Sequence, residues 1–217
     1  MINGITFIVN GVEYHSWDDF HLIRTKKSIG KAEVKKYEVN IDGADGVLDL
    51  TSYFGEPKYK NRPLKFEFEC IEDISTFDEL YSDIQNALHG QEAKIILDDD
   101  PEFYYEGRID VGAWSTSKGI GSVSIEVDAK PYKLKKEPTV IENAVNGSAT
   151  LTFENMRKNV VPTIYTTAPI NIVFGTSTFS LNAGTYVMPD MVFVEGTNTM
   201  EVTGTATVTV TYQEGSL

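Results

Sequence analysis

A chain of 217 residues suits one large or two small domains, and 41% hydrophobic content is enough to fill a core. With 32 acidic against 19 basic residues the formal net charge is −13, which argues against a nucleic-acid grip, since such grips rest on lysine and arginine contacts to phosphate. No run of 18 apolar residues is present, so a membrane-spanning helix and membrane insertion are not expected. The first strand signal is the alternation of Ile5, Phe7 and Val9, followed by Asn10-Gly11, a strong hairpin turn, with Val12 and Tyr14 continuing after it. Glu33 to Asn40 reads as a charged alternating strand with Val34, Lys36 and Glu38 on one face. Asp42-Gly43 and Asp45-Gly46 are turn dipeptides, and Gly55, Pro57, Asn61 and Pro63 keep the next stretch irregular. A loop of roughly 15–20 residues is thus expected, a length that is usually functional or partner-bound. Leu64, Phe66, Phe68 and Cys70 then alternate with Lys65, Glu67 and Glu69, one face apolar and one charged.

Cys70, the only cysteine, is in phase with that apolar face, so a buried structural thiol is expected, with no internal disulfide. The N-terminus MINGITFIVNGVEYH lacks a basic region and a long apolar stretch, so no signal peptide is expected. A helix is expected from about Phe77 to His89. Ser75 or Thr76 would cap it, with Asp78 or Glu79 three residues on. Phe77, Leu80, Tyr81, Ile84, Ala87 and Leu88 form its apolar stripe, and Gly90 ends it. Strands follow at Ala93–Leu97, Phe103–Val111 and Gly121–Ala129.

Composition shifts at KPYKLKKEP, residues 130–138. Of the basic residues only Arg157 and Lys158 lie beyond Pro138, while threonine becomes abundant there. Two domains, 1–134 and 135–217, are expected from that change. The second half is all-β by its pattern. Short runs at Ala149–Phe153, Thr163–Thr166, Ile170–Phe174, Thr178–Leu181, Thr185–Met188, Met191–Val194 and Thr205–Tyr212 sit between turn signals, which suggests a β-sandwich.

Catalytic and metal chemistry find little support. The run Asp98-Asp99-Asp100-Pro101-Glu102 could offer oxygens to a hard cation, but Asp-Pro favours a turn and the spacing is not that of a calcium loop. Asp42, Asp45 and Asp49 do not match such a loop either. His15, His21 and His89 are scattered without zinc-site spacing, and no nucleophile elbow, phosphate loop or dinucleotide fingerprint is present. No metal, cofactor or enzymatic activity is expected. Trp17, Tyr104, Tyr105 and Trp114 could stack on sugars, though packing explains them more simply. The aromatics of the second half, Phe153, Tyr165, Phe174, Phe179, Tyr186, Phe193 and Tyr212, mostly fall in strand patterns. The Asn146-Gly147-Ser148 sequon matters only in a secreted protein.

Two groups of motifs carry a resemblance. One is Asp45-Gly46-Val47-Leu48-Asp49-Leu50-Thr51 followed by Tyr59, Asn61-Arg62, Leu64, Phe66, Phe68 and Cys70. The other is the opening, Met1-Ile2-Asn3-Gly4-Ile5-Thr6-Phe7 with Asn10-Gly11, His15-Ser16 and Asp18-Asp19-Phe20. Together, over about the first 130 residues, they resemble the distal tail protein family of long-tailed, siphovirus-type bacteriophages. His21 departs from the pattern, where glycine is more usual. The resemblance implies a mainly β protein. Its N-terminal half would be a split β-barrel or sheet domain with one packed helix, forming a belt-like ring. Its C-terminal half would be a β-sandwich of galectin-like or carbohydrate-module-like type.

It also implies a structural hub of the virion tail tip, assembled in the host bacterial cytoplasm. Six copies would form a hexameric ring that joins the tail tube protein to a tail-associated fibre or lysin protein. DNA would pass only in transit through the lumen. A host surface glycan is a further conceivable partner, and the alternative functions are a carbohydrate-binding receptor-recognition module or a tail tube protein. Within this reading, the aromatics Tyr53, Phe54 and Tyr59 of the long loop need burial that a neighbouring subunit would supply. With the family-like Asn61 and Arg62 they are the candidate inter-subunit residues. Lys35, Lys36, Lys58, Lys60 and Arg62 would meet a neighbour's acids, and the lumen is expected to be acidic or neutral.

Overall fold

The computed structural model describes residues 4–53, 55–70, 77–117 and 119–217. Two compact units divide the chain, one running up to Lys133 and the other starting at Leu134. The first unit holds β1 (Ile5–Val9), β2 (Val12–His15), β3 (Leu22–Ile29), β4 (Glu38–Asn40), β5 (Val47–Asp49), β6 (Arg62–Cys70), α1 (Phe77–Leu88), β7 (Glu92–Leu97), β8 (Asp100–Val111), β9 (Ser115–Ser117) and β10 (Ile120–Ala129). Its main sheet runs in the order β2-β1-β7-β8-β10-β6-β3, antiparallel throughout, with β9 added to β10.

The strongest sequence patterns sit at the centre of this sheet. In β6, Leu64, Phe66, Phe68 and Cys70 are buried, and β10 opposes them with Val127, Ile125, Val123 and Gly121 in register. The Asn10-Gly11 turn has positive φ at both residues (50° and 83°), the geometry that matches the twist of a tight hairpin. α1 places Phe77, Ile84 and Leu88 into the same core as Ile5, Phe7 and Phe66, with Asp78 and Glu79 in its first turn, where carboxylates favour the helix dipole. The expected caps Ser75 and Thr76 lie outside the described residues.

The sheet curls. Arg24 and Lys27 on β3, the last strand of the path, both pair with Asp99 at the β7–β8 turn, and the Leu22 N–H donates to the Ser16 carbonyl beyond β2 (2.7 Å). These contacts bring the two ends of the path toward one another. His21 lies at this junction with φ +52°, in the left-handed region where glycine would carry no strain.

The stretch expected as an alternating strand followed by a long loop is instead one projecting ribbon. Only Glu38–Asn40 of the Glu33–Asn40 stretch is regular strand. It pairs with β5, which lies inside the expected loop. Below this pair the ladder continues through the Tyr37 carbonyl to Leu50 N–H (2.7 Å), then Lys35 N–H to the Lys58 carbonyl (2.7 Å), a Val34–Tyr59 bridge, and Lys60 N–H to the Glu33 carbonyl (2.7 Å). The loop reading fails because pairing between residues as far apart as Glu33 and Lys60 leaves no periodic mark in short strands.

The short β11 (Lys133–Lys135) spans the boundary, and the second unit holds β12 (Thr139–Asn155), β13 (Thr163–Thr166), β14 (Ile170–Phe174), β15 (Ser177–Leu181), β16 (Gly184–Val187), β17 (Gly196–Tyr212) and β18 (Gly215–Ser216). Four of the short runs expected form short strands, whereas Ala149–Phe153 and Thr205–Tyr212 are parts of two 17-residue strands. β12 pairs with β17 along its whole length, and the opposite edge of β17 takes β13 near its end and β14 in its middle. Sheet order is β15-β14-β17-β13-β16. Asn146-Gly147 reads as a turn in sequence, yet the ribbon continues through it, because Gly147 faces Gly204 in register and both have positive φ (90° and 139°). A Cβ on Gly204 would stand 2.9 Å from the Pro169 carbonyl oxygen, so only glycine fits there. Met200, Val202, Ala206, Val208 and Val210, on both sides of this point, bury into one core. Met191–Val194 forms no strand; only a bridge from Phe193 to Val160 is found.

Candidate assembly interface

The projecting ribbon leaves apolar side chains in solvent. Tyr37, Val39, Ile41, Val47 and Leu48 are each about half exposed and Tyr53 is 73% exposed. A two-stranded ribbon is marginal in water by itself, and clustered apolar exposure marks interaction sites. The ribbon is nevertheless shaped by its own polar groups. The Asp49 carboxylate accepts from the Thr51 N–H (2.8 Å), and the Thr51 hydroxyl accepts from the Tyr37 N–H (3.1 Å). Hydrogen bonding to Thr51, with help from the Lys36 charge, holds the Asp49 carboxyl below the usual carboxylate range.

The candidate interface residues fall into two groups. Tyr53 sits on a side loop midway along the ribbon, where its N–H donates to the Leu50 carbonyl (3.0 Å). Phe54 lies outside the described residues. Tyr59, Asn61 and Arg62 gather at the base. Tyr59 is half-buried edge-on to Tyr132, with ring centroids 5.9 Å apart. Asn61 donates to the Asp128 carboxylate (2.9 Å). Arg62 is buried, donates to the carbonyls of Gly30 (2.8 Å) and Pro131 (3.3 Å), and lies 5.7 Å from the Tyr105 ring centre. In the single chain, then, Arg62 and Asn61 fix the ribbon to the sheet, and the outward-facing part is the ribbon above them. The sequence signal missed for that part is Tyr37, Val39, Ile41, Val47 and Leu48, apolar residues with no burying face of their own.

Other candidate chemistry is consumed by internal contacts. Asp98 accepts from the Gly4 N–H (2.7 Å) and stands 3.3 Å from His15; Asp99 is held by Arg24 and Lys27; Asp100 pairs with Lys133 (2.6 Å). Among the described residues no group of three or more His, Cys, Asp or Glu is placed to hold a metal ion, and no helix is long and apolar enough to cross a membrane. Trp114 stacks on Tyr81 (5.8 Å) and meets Phe77 edge-on (5.5 Å), while Tyr104 and Tyr105 are buried, and burial pushes both their hydroxyls up in pKa. In the second unit Phe153, Phe193 and Tyr212 pack ring against ring in the core, leaving Tyr165 as the aromatic most open to solvent there. A shallow depression of about 530 Å³ on the first unit's sheet, around Gly107, is lined by groups that neutralise one another, Glu92 with Arg108 (3.0 Å) and Glu106 with Lys130 (2.7 Å).

Comparison with known proteins places the architecture. No family model matches the chain, and no curated protein matches it. Among solved structures, the crystal structure of SPP1 Dit (gp 19.1) superposes with a TM-score of 0.70. The alignment covers 98% of this chain and 99% of that one at 13% sequence identity. That protein is described as a paradigm of the hub adsorption apparatus in phages infecting Gram-positive bacteria. The chain therefore has the mainly β fold of a phage tail hub protein from end to end.

Proposed function

We propose that this protein is a structural hub of a phage tail tip. Copies of its first unit close into a hexameric ring between the tail tube and the tail-tip or baseplate proteins, with DNA passing through the lumen. The observation that carries this reading is the fold likeness to SPP1 Dit over both units, which extends beyond the N-terminal motifs on which the sequence resemblance rests. The exposed ribbon supports it, since a ring needs a surface that the single chain leaves uncovered. The function is assembly, so buried interface area does the work and no side chain is assigned a reaction. The second unit acts as an outer spacer or docking platform.

Electron microscopy of the purified protein, alone and with its tube protein, should show rings rather than filaments. Tyr53→Ala combined with Phe54→Ala should weaken ring formation while leaving the monomer folded by circular dichroism. Cross-links in intact virions that place this chain away from the tail tip would refute the proposal.

A further inference from the structure

Threonine enrichment in the second half of the sequence places hydroxyls on the face of the second sheet that points away from its core. Strand register lines them up. Val140, Thr211, Thr163 and Val187 lie abreast across β12, β17, β13 and β16, and the next row along is Glu142, Thr209, Tyr165 and Thr185. Residues abreast on neighbouring strands point to the same side of a sheet. Their neighbours along the strands, among them Ile164, Val208 and Val210, are fully buried, so both rows face outward. Val140, Tyr165 and Val187 are each about half exposed. Glu142 is the one charge in the two rows, and no lysine or arginine stands in either.

Threonine suits an exposed strand anywhere. Elsewhere in this unit, however, the outward hydroxyls are used internally. Thr197 donates to the Glu154 carboxylate (2.7 Å), Ser180 donates to the Asn171 side-chain oxygen (2.7 Å), and the Thr167 hydroxyl accepts from the Thr207 N–H (2.9 Å). Among the described residues, the hydroxyls of Thr163, Thr185, Thr209 and Thr211 have no hydrogen-bond partner. Tyr165 stands between two of them, with Thr209 on one side and Thr185 on the other.

Size and charge decide what this surface can hold. Val140 and Val187 are three strand spacings apart, about 14 Å, and Tyr165 is one row away, about 7 Å. A patch of those dimensions falls far short of the roughly 800 Å² per partner that a stable protein interface buries. It has the length of a short oligosaccharide. An anionic ligand would meet no cation in either row and would be repelled by Glu142. A sugar ring presents carbon-bound hydrogens on one face and hydroxyls around its rim. Tyrosine offers a broad apolar ring, and threonine offers a hydroxyl that both donates and accepts.

We infer that the Val140–Tyr165–Val187 face of the second unit binds a neutral oligosaccharide. One sugar ring stacks on Tyr165, its rim hydroxyls bond to Thr185 and Thr209, and Val140 and Val187 bound the site along its length. Glu142 selects against acidic sugars. This site goes beyond the hub reading, which concerns copies of the first unit.

Saturation-transfer NMR on the full-length protein tests it, with the neutral trisaccharides maltotriose, cellotriose, mannotriose and triacetylchitotriose and with the acidic trigalacturonate. At least one neutral trisaccharide should bind with millimolar affinity, and its binding should not change between low and high salt. Tyr165→Ala should weaken that binding at least tenfold, whereas Tyr165→Phe should keep it, because stacking needs the ring and not the hydroxyl. Thr209→Val should weaken it severalfold. All three variants should keep the parent circular dichroism spectrum. Trigalacturonate should bind at least tenfold more weakly than the best neutral sugar. The site is overturned if no neutral trisaccharide binds, if Tyr165→Ala binds like the parent, or if trigalacturonate is preferred. The ring reading is read out separately: Tyr165→Ala should associate as the parent does, and a parent that never associates would overturn the ring while leaving the sugar site in place.

Discussion

Two long antiparallel ribbons occur in this chain, and they are covered in different ways. The β12–β17 ribbon buries one face in the second core, where its Phe153 and Tyr212 pack against Phe193, and the free edge of β17 is covered by β13 and β14. The ribbon between Gly30 and Pro63 has comparable apolar content but no roof from its own unit; its base is pinned by Arg62, and its tip stands in solvent. A ribbon in water gains too little from its ladder to resist fraying, since hydrogen bonds to water replace those it loses. The first ribbon is stabilised by burial within the fold, whereas the second keeps its apolar surface available for a partner. Position relative to a core, and not strand propensity, separates the two.

Substitutions can break that contrast. The largest effect is expected for Phe193→Ala, which removes a fully buried ring touching Phe153, Phe174 and Tyr212. It should cost about 3–5 kcal/mol. If the two units fold separately, as we propose, chemical denaturation will show a lowered transition for the second unit and an unmoved one for the first. Limited proteolysis will then cut first between Lys130 and Pro138. A single transition shifted as a whole would refute separate folding.

A smaller effect is expected at the sheet closure. Burial alone would raise the Asp99 carboxyl, but the Lys27 hydrogen bond and the Arg24 and Lys27 charges outweigh it, and the group titrates below its ordinary value. A carboxylate with a depressed folded pKa contributes fully above the unfolded value of about 3.9 and loses that contribution as pH falls through the folded value. Asp99→Asn should thus lower stability by about 1–2 kcal/mol at neutral pH. The difference from the parent should shrink steadily below about pH 4. Urea unfolding of both proteins across that range would show it; a gap independent of pH would assign the loss to packing instead of charge.

The smallest effect on the isolated chain is expected in the exposed ribbon. Leu48→Ser should change monomer stability by no more than about 0.5 kcal/mol, because the side chain has little to lose in the single chain. Its effect should appear in association instead. Strong destabilisation of the monomer would mean that the ribbon is covered by its own chain after all, and the contrast between the two ribbons would disappear.

The reading of elements from sequence succeeded where period and turn chemistry are local. The alternation in β6, the Asn10-Gly11 hairpin and the helical stripe starting at Phe77 each lie within a dozen residues and bear their structure directly. The left-handed φ of His21 is legible too, once the resemblance marks the position as one where glycine is usual. The single long β12 is not legible, because the Asn146-Gly147 turn signal and a bend between facing glycines look alike until the partner strand is known.

The candidate interface divides in the same way. Composition shows that aromatics and charges crowd the Gly43–Arg62 region. It does not show that Arg62 points inward to the Gly30 and Pro131 carbonyls, which arrive from positions 32 and 69 residues away. Nor does it show that Glu33–Asn40 pairs with that region into one ribbon. Sequence alone determined the class of fold and where apolar and charged residues lie along the chain, because alternation, turn residues and charge are properties of neighbours. Tertiary structure decided which of those residues are covered and which remain open, because burial depends on what distant segments bring to the same place.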